Sequence, residues 1–397
     1  MPADREHDRE YDVTLFGATG FTGALTAEYL ARNAPAGLRW ALAGRNRAKL
    51  TGLVERLAAI DPALAELPVL HADVDDPASL RAVAEASRVV ITTVGPYINY
   101  GEPLVAACAA AGTDYVDLTG EPEFVDLMYV RYHQKAVASG ARIVHCCGFD
   151  SIPYDLGVLH TVNQLPTDVP ISVEGFVTAS GTFSGGTAHS AITAFSRVRQ
   201  MSAAAAARRR LEGRPEGRRV RGVRGRPRRE SVADAWVLPA PTIDPQVVLR
   251  SARALPRYGP DFSYGHYIGV PSLPMAVGLA AGAAGLLAAA QLPPARDWLL
   301  NKRKPGDGPS AEKRECSWFR ARFVGTGGGR RVVTEVSGGD PGYSETAKML
   351  AESALCLALD DLPATAGQVT TAVAMGQALV DRLVAAGIRF AVLEGGA

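Results

Sequence analysis

The glycine-punctuated run at residues 11–23 constrains the fold of this chain more than any other stretch. Six residues with strand character lead into three glycines spaced three residues apart, and a helix-like stretch, Phe21–Asn33, follows. Glycine permits backbone conformations and close approaches that a Cβ would block. A helix that starts behind such a turn directs its first N–H groups at a pyrophosphate, so the run predicts a dinucleotide-phosphate turn. The residues assigned to this turn are Gly17, Thr19, Gly20, Phe21, Thr22 and Gly23.

The end of the second predicted strand, residues 38–43, indicates which dinucleotide is bound. In an NAD-binding fold an acidic residue at this place bonds the ribose 2′-hydroxyl. Here Gly44 and Arg45 follow the strand instead. A carboxylate would repel a 2′-phosphate, whereas a guanidinium pairs with it. The sequence therefore favours NADP(H) over NAD(H), against the plainer interpretation of a strand–turn–helix unit with a surface arginine.

Length and composition predict a globular chain with more than one domain. The 397 residues are 47% hydrophobic and carry a formal net charge of +1, so the chain is long enough to bury two or more cores. Its five cysteines are odd in number and form no C-x-x-C, so neither a disulfide framework nor a zinc site is predicted. Residues 1–10 are highly charged and lack the apolar core of a signal peptide, which predicts a cytoplasmic protein.

Strand-like and helix-like segments alternate through the first 150 residues. This alternation predicts an α/β fold in which residues 1–151 form a Rossmann-type parallel sheet covered on both faces. After the first two strands, the predicted strands are residues 67–71, 88–94, 115–118 and 142–146. The predicted helices between strands are residues 47–59, 78–85, 102–111 and 123–139.

Small or polar residues follow four of these predicted strands. Ligands of such sheets bind beyond the carboxyl ends of the strands, so all four clusters are expected around the cofactor. The clusters are Asp73, residues 95–97, residues 119–121 and residues 148–151. We expect Asp73 to accept a hydrogen bond from the adenine amino group. Val94, Gly95 and Pro96 are expected to let the nicotinamide half pass close to the backbone, although each cluster taken alone is also an ordinary turn.

From residue 152 onward strand-like pieces dominate, and they predict a second domain of α+β type over residues 152–342. The pieces are residues 171–179, 235–238, 318–324 and 331–337. The small residues at 180–189 precede a helix-like stretch and suit either a close-fitting substrate or cofactor tail or a plain turn. The last segment, residues 343–397, contains two helical stretches at 344–359 and 373–386. We expect these helices to return and pack on the first domain.

Residues 208–229 contain eleven arginines and two acidic residues, with glycine and proline interleaved. The segment has no apolar period, so it is predicted as a mobile, solvated loop. One interpretation is an insertion without a specific role. The other is an electrostatic dock for an acidic partner or an anionic membrane. Nucleic acid is disfavoured because no aromatic residues are interleaved for stacking.

A second unusual stretch, residues 267–295, has no charged residue. Its centre, residues 275–292, approaches the roughly 20 residues that span a bilayer. Three interpretations stay open: a helix buried in the protein, a helix lying on a membrane or other apolar surface, and a true span. The glycines Gly278, Gly282 and Gly285 suit close packing in a buried or dimeric helix. The basic residues Arg296, Lys302, Arg303 and Lys304 follow and suit anionic headgroups.

Five motifs together resemble those of the saccharopine dehydrogenase-like oxidoreductases, and most closely those of the trans-acting enoyl reductases of actinobacterial lipid biosynthesis. They lie at residues 17–23, 43–45, 94–97, 115–121 and 147–155. The resemblance covers nearly the whole chain, since residues 369–376 and 388–390 also look like the family's ending. Saccharopine dehydrogenases bind a dicarboxylic amino acid, which needs basic residues in the cleft. Here the basic residues concentrate in segment 208–229, so that substrate class is disfavoured.

The resemblance implies an NADPH-dependent reductase that acts on the enoyl-thioester of an acyl carrier domain of a polyketide synthase. We also expect a cytoplasmic homodimer, with peripheral contact at the inner face of the plasma membrane and no nucleic-acid partner. Acidic carrier domains are compatible with the arginines of 208–229, and a lipid-like substrate is compatible with the apolar stretch at 275–292. Two alternatives are an amino-acid or imine dehydrogenase like saccharopine dehydrogenase, and a non-catalytic NADP-binding protein associated with lipids.

Reduction of an enoyl-thioester needs a donor to the thioester oxygen and a proton for the α-carbon. Tyr97 is the first candidate because it follows the fourth predicted strand, where the nicotinamide is expected. Ser151 and Tyr154 are the next candidates because they lie at the predicted domain junction. A half-buried packing role is the alternative for each tyrosine. His145 lies inside an apolar strand and is predicted as a core residue, and no metal site is predicted.

Overall fold

The computed structural model describes residues 9–180, 196–292, 294 and 308–395. Within them the chain forms a seven-stranded sheet of order β3-β2-β1-β4-β5-β6-β14, and every pairing in it is parallel. The strands are β1 Tyr11–Phe16, β2 Trp40–Gly44, β3 Val69–His71, β4 Ser87–Thr92, β5 Asp114–Asp117, β6 Arg142–Val144 and β14 Gly367–Val369. The first six have the order of a Rossmann fold, so the predicted N-terminal sheet is confirmed.

In the described residues, seven α-helices precede the second sheet, and local sequence signals set many of their ends. Asn46 and Asp76 cap two of them, by accepting from Lys49 N and Ala78 N. Gly112 and Gly140 end two others in the left-handed conformation. The helices are α1 Phe21–Asn33, α2 Arg47–Ala58, α3 Pro77–Ala86, α4 Tyr97–Tyr100, α5 Glu102–Ala111, α6 Pro122–Ser139 and α7 Ile152–Val162.

The second sheet is mixed and has the order β15-β13-β12-β7-β11-β10-β9, with β8 paired to β11. Its strands are β7 Ile171–Ser180, β8 Arg219–Gly222, β9 Arg228–Glu230, β10 Ala235–Pro239, β11 Asp261–Val270, β12 Trp318–Gly327, β13 Arg330–Gly338 and β15 Arg389–Glu394. This confirms the predicted second sheet. The strand β11 was not predicted, yet it lies inside the sheet, parallel to β7 and antiparallel to β10.

The later helices lie between β7 and β15 along the chain. They are Val198–Leu211, Asp244–Ala254, Leu273–Ala290, Ala311–Glu315, Ser344–Leu359, Thr371–Ala374 and Gly376–Ala385. The helix Ser344–Leu359 packs against α1 and strands β1, β4 and β5, as predicted for a returning helix. The C-terminal segment does more than this prediction allowed, because β14 extends the first sheet and β15 extends the second.

Asp155 of α7 ties the middle of the chain to its C-terminal part. Its buried carboxylate accepts from Ser251 Oγ at 2.5 Å, Thr371 Oγ1 at 2.7 Å and Ala372 N at 2.8 Å. The side chain is fully buried, and such a group is stable only when its hydrogen bonds are made. The junction between the two sheets is therefore fixed by specific polar contacts as well as by apolar packing.

The prediction of a mobile, solvated loop at residues 208–229 is wrong. Arg208 lies in the last turn of the helix Val198–Leu211, is only 4% exposed and pairs with Asp126 and Glu212. Arg218 donates to the carbonyls of Ala252, Leu255 and Gly259. Two further pieces of the segment are the strands β8 and β9. The arginines find carboxylates and carbonyls on distant elements, which composition alone does not reveal.

The apolar helix Leu273–Ala290 is exposed, so its interpretation as a helix buried in this chain is wrong. It is long and apolar enough to cross a membrane, and only 11% of it is buried. Ala276 and Ala290 are its buried residues, whereas Met275 and Val277 are more than half exposed. A dimeric, surface-lying or spanning helix stays open as a prediction. The basic residues predicted after it, and the turn at 181–189, lie outside the described residues.

Candidate active site

The glycine turn between β1 and α1 has the close contacts that its sequence predicts. Gly17 has a φ of +92°, and a Cβ there would lie 2.7 Å from Val94 Cγ2. A Cβ at Gly23 would lie 2.3 Å from Gly17 O. Since real Cβ atoms do not approach other heavy atoms so closely, only glycine fits at these two positions without movement of the backbone. These glycines shape the turn and bring it against the end of β4.

Gly20 differs from its two neighbours because its missing side chain leaves open space. The nearest atom to a Cβ there is Gly17 O at 3.5 Å, and both Thr19 and Gly20 are exposed. Gly20 is the N-cap of α1, and neither a side-chain cap nor an acidic residue occupies the first turn. Helix N-termini of this kind bind phosphate through their N–H groups and dipole. The turn fits a dinucleotide pyrophosphate.

Phe21 and Thr22 begin α1 at the side facing the second half of the chain. The Phe21 ring meets the edge of Tyr343 at a centroid distance of 4.8 Å, and the Arg314 guanidinium lies 5.5 Å from its centroid. Thr22 is half-buried, and its carbonyl accepts from Thr26 Oγ1 at 2.9 Å. Residues of the later segments therefore approach the phosphate turn.

Arg45 lies at the carboxyl end of β2, directly after Gly44. Its side chain is exposed, and among the described residues it makes no ion pair. The Asn46 side chain caps α2 by accepting from Lys49 N, and no acidic residue lies between β2 and Asn46. A guanidinium available here suits the 2′-phosphate of NADP. The place of Arg45 agrees with the sequence-based choice of dinucleotide.

Asp73 follows β3 and builds a local turn. Its Oδ1 accepts from Asp75 N at 3.1 Å, and its own N–H donates to Ser79 Oγ at 3.0 Å. Formation of an ordinary turn is the simpler of the two roles that the sequence suggested for Asp73. Binding of the adenine amino group by Asp73 stays a prediction, and one carboxylate oxygen is already used within the loop.

The loops after β4 and β5 are joined by Glu121. Its two carboxylate oxygens accept from Tyr97 N at 3.0 Å and Ile98 N at 2.8 Å. Val94, Gly95 and Pro96 lead into this contact, with Gly95 exposed. Such a bidentate contact to main-chain N–H groups fixes the backbone where a nicotinamide is expected.

Tyr97 is held away from solvent. Its hydroxyl donates to Thr92 O at 3.0 Å, its ring packs on Phe124, and the side chain is 4% exposed. Burial holds the pKa of Tyr97 well above its usual value, so the hydroxyl stays protonated at neutral pH. Its predicted role as donor to the substrate stays a prediction and would require the bond to Thr92 to break.

Asp117 organises the ends of β5 and β6 from a fully buried position. Its carboxylate accepts from Cys146 N at 3.0 Å and Tyr115 Oη at 2.9 Å and lies 2.6 Å from His145 Nδ1. His145 is buried, as predicted for a core residue, and its ring packs against Phe124. The histidine therefore holds the loop in place from within the core.

The loop between β6 and α7 contains two non-glycine residues with positive φ, Cys146 at 64° and Ser151 at 138°. Such conformations cost about 1–3 kcal/mol each and persist where surrounding contacts hold them. Asp117 holds Cys146, and Ser151 Oγ donates to Asp244 Oδ1 at 3.0 Å. Ser151 is fully buried, so its predicted direct role toward the substrate stays untested while its hydroxyl serves this contact.

Asp244 connects this loop to a buried pair on β11. His266 Nε2 lies 3.4 Å from Asp244 Oδ2, and Tyr264 Oη lies 2.8 Å from His266 Nδ1. All three side chains are less than a tenth exposed. The sequence reading missed this cluster because β11 was not predicted, and because its members come from segments far apart in the chain.

Tyr154 packs its ring against His266, with centroids 4.8 Å apart. Its hydroxyl makes no hydrogen bond to any described residue, in contrast to that of Tyr97. Burial, and then the charges of Asp244 and Asp150, raise the pKa of Tyr154 well above its usual value. A protonated, uncommitted phenol at this junction suits hydrogen-bond donation to a substrate oxygen. The predicted role of Tyr154 thus keeps geometric support.

Two cavities in the described residues are formed without the loops that follow β1 to β6. One cavity of about 460 Å³ is lined by Arg221, Asp261 and Arg330 at an end of the second sheet. The other, of about 310 Å³, is lined by Tyr129, His133 and Arg250. Neither contains a residue of the glycine turn. We place the cofactor at the strand ends because parallel sheets of this order bind their ligands there.

Comparison with known proteins agrees with this geometry. Residues 13–144 match the family of the saccharopine dehydrogenase NADP-binding domain. A Mycobacterium tuberculosis protein provisionally named a trans-acting enoyl reductase is 42% identical, with 96% of this chain and 97% of that protein covered. A trans-acting enoyl reductase of Mycobacterium bovis is 37% identical over the same shares. This chain belongs to the trans-acting enoyl reductase family. It is an NADP-dependent oxidoreductase of the saccharopine dehydrogenase-like group.

The fold has a counterpart among solved structures. Apo saccharopine dehydrogenase (L-Glu forming) from Saccharomyces cerevisiae aligns over 96% of this chain and 99% of that chain, with a TM-score of 0.52. The two sequences are 11% identical, so the likeness concerns the fold alone. The family member described here therefore shares the architecture of a dehydrogenase whose substrate it need not share.

Proposed function

We propose that this enzyme reduces the carbon–carbon double bond of an enoyl-thioester carried by an acyl carrier domain, in the assembly of a polyketide lipid. The observation that carries the proposal is 35–42% identity over 96% of the chain to proteins named as trans-acting enoyl reductases. The phosphate turn and Arg45 support NADPH as the cofactor. The hydroxyl of Tyr154, which makes no hydrogen bond to a described residue, supports a donor at the junction of the two sheets.

NADPH, when bound, supplies the hydride. The glycine turn would hold its pyrophosphate at the N-terminus of α1, and Arg45 would pair with its 2′-phosphate. Negative charge then develops on the thioester oxygen of the substrate, and a preorganised donor stabilises it. Tyr154 is the candidate for this donor, ahead of Tyr97 and Ser151, whose hydroxyls already serve Thr92 and Asp244.

The test is oxidation of NADPH by the purified chain with an enoyl-pantetheine thioester and with the same acyl group on a carrier domain. We expect saturable oxidation with both substrates and a saturated thioester as product by mass spectrometry. Matched reactions with 2-oxoglutarate plus an amine test the saccharopine-like alternative. Turnover only in those reactions, or tight NADPH binding with no turnover of any substrate, would reject the proposal.

The carrier domain is proposed to dock on exposed arginines of segment 208–229. Arg209, Arg210, Arg214, Arg224 and Arg226 are exposed and make no ion pair among the described residues. Charge complementarity to an acidic carrier accelerates encounter more than it changes chemistry. We expect Arg224→Glu combined with Arg226→Glu to raise KM for the carrier-bound substrate about tenfold while KM for the pantetheine substrate stays unchanged. Arg81→Glu, on the exposed face of α3, is the matched control.

The helix Leu273–Ala290 is proposed to lie on a membrane surface near the lipid substrate. It is exposed on several sides, including Leu273, Val277, Leu279 and Leu287, whereas a dimer contact would need to cover only one face. Interfacial helices bind through buried apolar area. We expect the protein to float with anionic vesicles, and Val277→Ser with Leu287→Ser to reduce flotation severalfold. Val384→Ser, equally apolar and exposed elsewhere, should not. A lipid-independent dimer lost in the double variant would instead assign the helix to a second copy.

A further inference from the structure

Asp150 lies at the carboxyl ends of the first sheet, in the strained loop between β6 and α7. Its carboxyl faces the loop after β5, because a Cβ built on Gly120 would lie 3.1 Å from Asp150 Oδ2. The ends of β5 and β6 are adjacent in the sheet, and ligands of such sheets bind at this edge. The Asp150 carboxyl is therefore placed at the edge where the proposed substrate would react.

Among the described residues, no hydrogen bond or ion pair engages the Asp150 carboxyl, although the residue is half-buried. Its neighbour Ser151 donates to Asp244 Oδ1 at 3.0 Å, and His266 Nε2 approaches Asp244 Oδ2 at 3.4 Å. Both carboxyl oxygens of Asp244 therefore have partners, whereas those of Asp150 have none among the described residues. Two carboxylates in one site resist ionising together, so the proton of the pair belongs on Asp150.

The surroundings contain no described cation that would oppose this assignment. The titratable groups that interact with Asp150 are Asp244, Tyr154 on α7 and Cys146 after β6. His266 and Tyr264 on β11 follow Asp244 in the same cluster. Burial, followed by the charge of Asp244, raises the pKa of Asp150 to about 7. A general acid works best when its pKa lies near the working pH.

Resting on the function proposed above, we propose that Asp150 is the acid that protonates the α-carbon of the substrate. Hydride arrival at the β-carbon leaves an electron pair that forms the new C–H bond at the α-carbon. The O–H bond of Asp150 breaks as this bond forms. Its carboxylate then regains a proton from water, which completes the balance of the step.

The experiment compares wild type with Asp150→Asn, and uses Asp361→Asn, at an exposed acid elsewhere, as the matched control. We expect Asp150→Asn to lower turnover about 100-fold or more and to bind NADPH with unchanged affinity by fluorescence titration. Asp150→Glu should restore part of the activity, since it restores an acid. If Asp150→Asn fails to fold, Asp150→Glu and Asp244→Asn still carry the test.

A second readout needs no activity. In protein labelled with 13C at aspartate carboxyls, one resonance should titrate near neutral pH, vanish in Asp150→Asn and move to lower pH in Asp244→Asn. An active wild type whose Asp150→Asn variant keeps full turnover would overturn the role of Asp150 alone. An inactive wild type would overturn the proposed function, whereas the titration would still decide whether Asp150 holds a proton at neutral pH. A resonance titrating near pH 4 would reject the assignment.

Discussion

The turn after β1 and the turn after β6 are both strand-to-helix connections at the same edge of one sheet, yet they reach their conformations by opposite means. The first uses glycine at Gly17, where φ is positive and no side chain fits. The second places Cys146 and Ser151 at positive φ and holds them with Asp117 and Asp244. One turn leaves space for a ligand, and the other builds a buried network of acids. Removing side chains and fixing them are thus two ways to shape one site.

The largest expected effect on stability is that of an alanine at Gly23, which tests whether the first turn depends on glycine. In Gly23→Ala the new Cβ would lie 2.3 Å from Gly17 O, so the backbone must move and the free energy of unfolding should fall by about 2–4 kcal/mol. Chemical denaturation measures the loss. Gly20→Ala should fold normally but lose NADPH affinity, and Gly52→Ala, with open space in α2, is the control. Equal stability of Gly23→Ala and wild type would contradict the account of the first turn.

The substitution Arg45→Gln tests nucleotide binding rather than the stability of the turns. A charged hydrogen bond to the 2′-phosphate would be lost, so we expect NADPH affinity to fall about 10- to 100-fold, which corresponds to about 1.4–2.7 kcal/mol. NADH affinity should stay within about twofold, because NADH has no phosphate there. Fluorescence titration of both nucleotides measures the change. If both affinities fell together, Arg45 would act through the fold of the turn instead.

Ser151 tests the strain stored in the second turn. Ser151→Ala and Ser151→Gly both remove the hydrogen bond to Asp244, but only glycine relieves the positive φ. We therefore expect the glycine variant to exceed the alanine variant in free energy of unfolding by about 1–2 kcal/mol. At Gly17 the same order is expected, because alanine would be strained at that positive φ as well. Identical stability of the two Ser151 variants would mean that the loop relaxes without cost.

The smallest expected effect is a pH dependence of stability from Asp150. Its folded pKa of about 7 lies above the ordinary aspartate value of 3.8, so its contribution to stability is complete below about pH 4 and is lost as pH rises through 7. We expect Asp150→Asn to gain about 1 kcal/mol relative to wild type between pH 5 and pH 8, because solvent screening at a half-buried site reduces the full shift. Thermal unfolding across this range measures the difference, and a constant difference would argue against the raised pKa.

The first turn could be predicted from sequence because its determinants are glycines within a few residues of each other. The same is true of Phe21–Asn33 and Glu102–Ala111, whose predicted and observed ends coincide. Local spacing, caps and periodicity decide these elements. The preference for NADP(H) could be predicted in the same way, because Gly44 and Arg45 stand after β2, where an NAD-binding fold has an acidic residue.

The place of the second turn was predicted, but the buried network that holds it could not be, because its members lie on three segments joined only by the fold. Asp244 and His266 meet Ser151 across long sequence separations, and β11 itself escaped prediction because Gly265 and Gly269 interrupt its strand character. The prediction for the arginines of residues 208–229 was wrong for a related reason. Composition describes them as solvated, whereas Arg208 pairs with Asp126 and Arg228 with Glu174. Partners of this kind are invisible until the chain is folded.

The strand β14 belongs to the first sheet but lies more than 200 residues after the other strands of that sheet along the chain. Gly367–Val369 pairs beside β6, and the helix Ser344–Leu359 covers strands of the same sheet. On the ribosome, the Rossmann half emerges long before these pieces exist, so its last edge and one of its faces must stay bare until they arrive. A fragment cut at residue 151 would carry that unfinished edge permanently, which makes it a poor candidate for expression by itself.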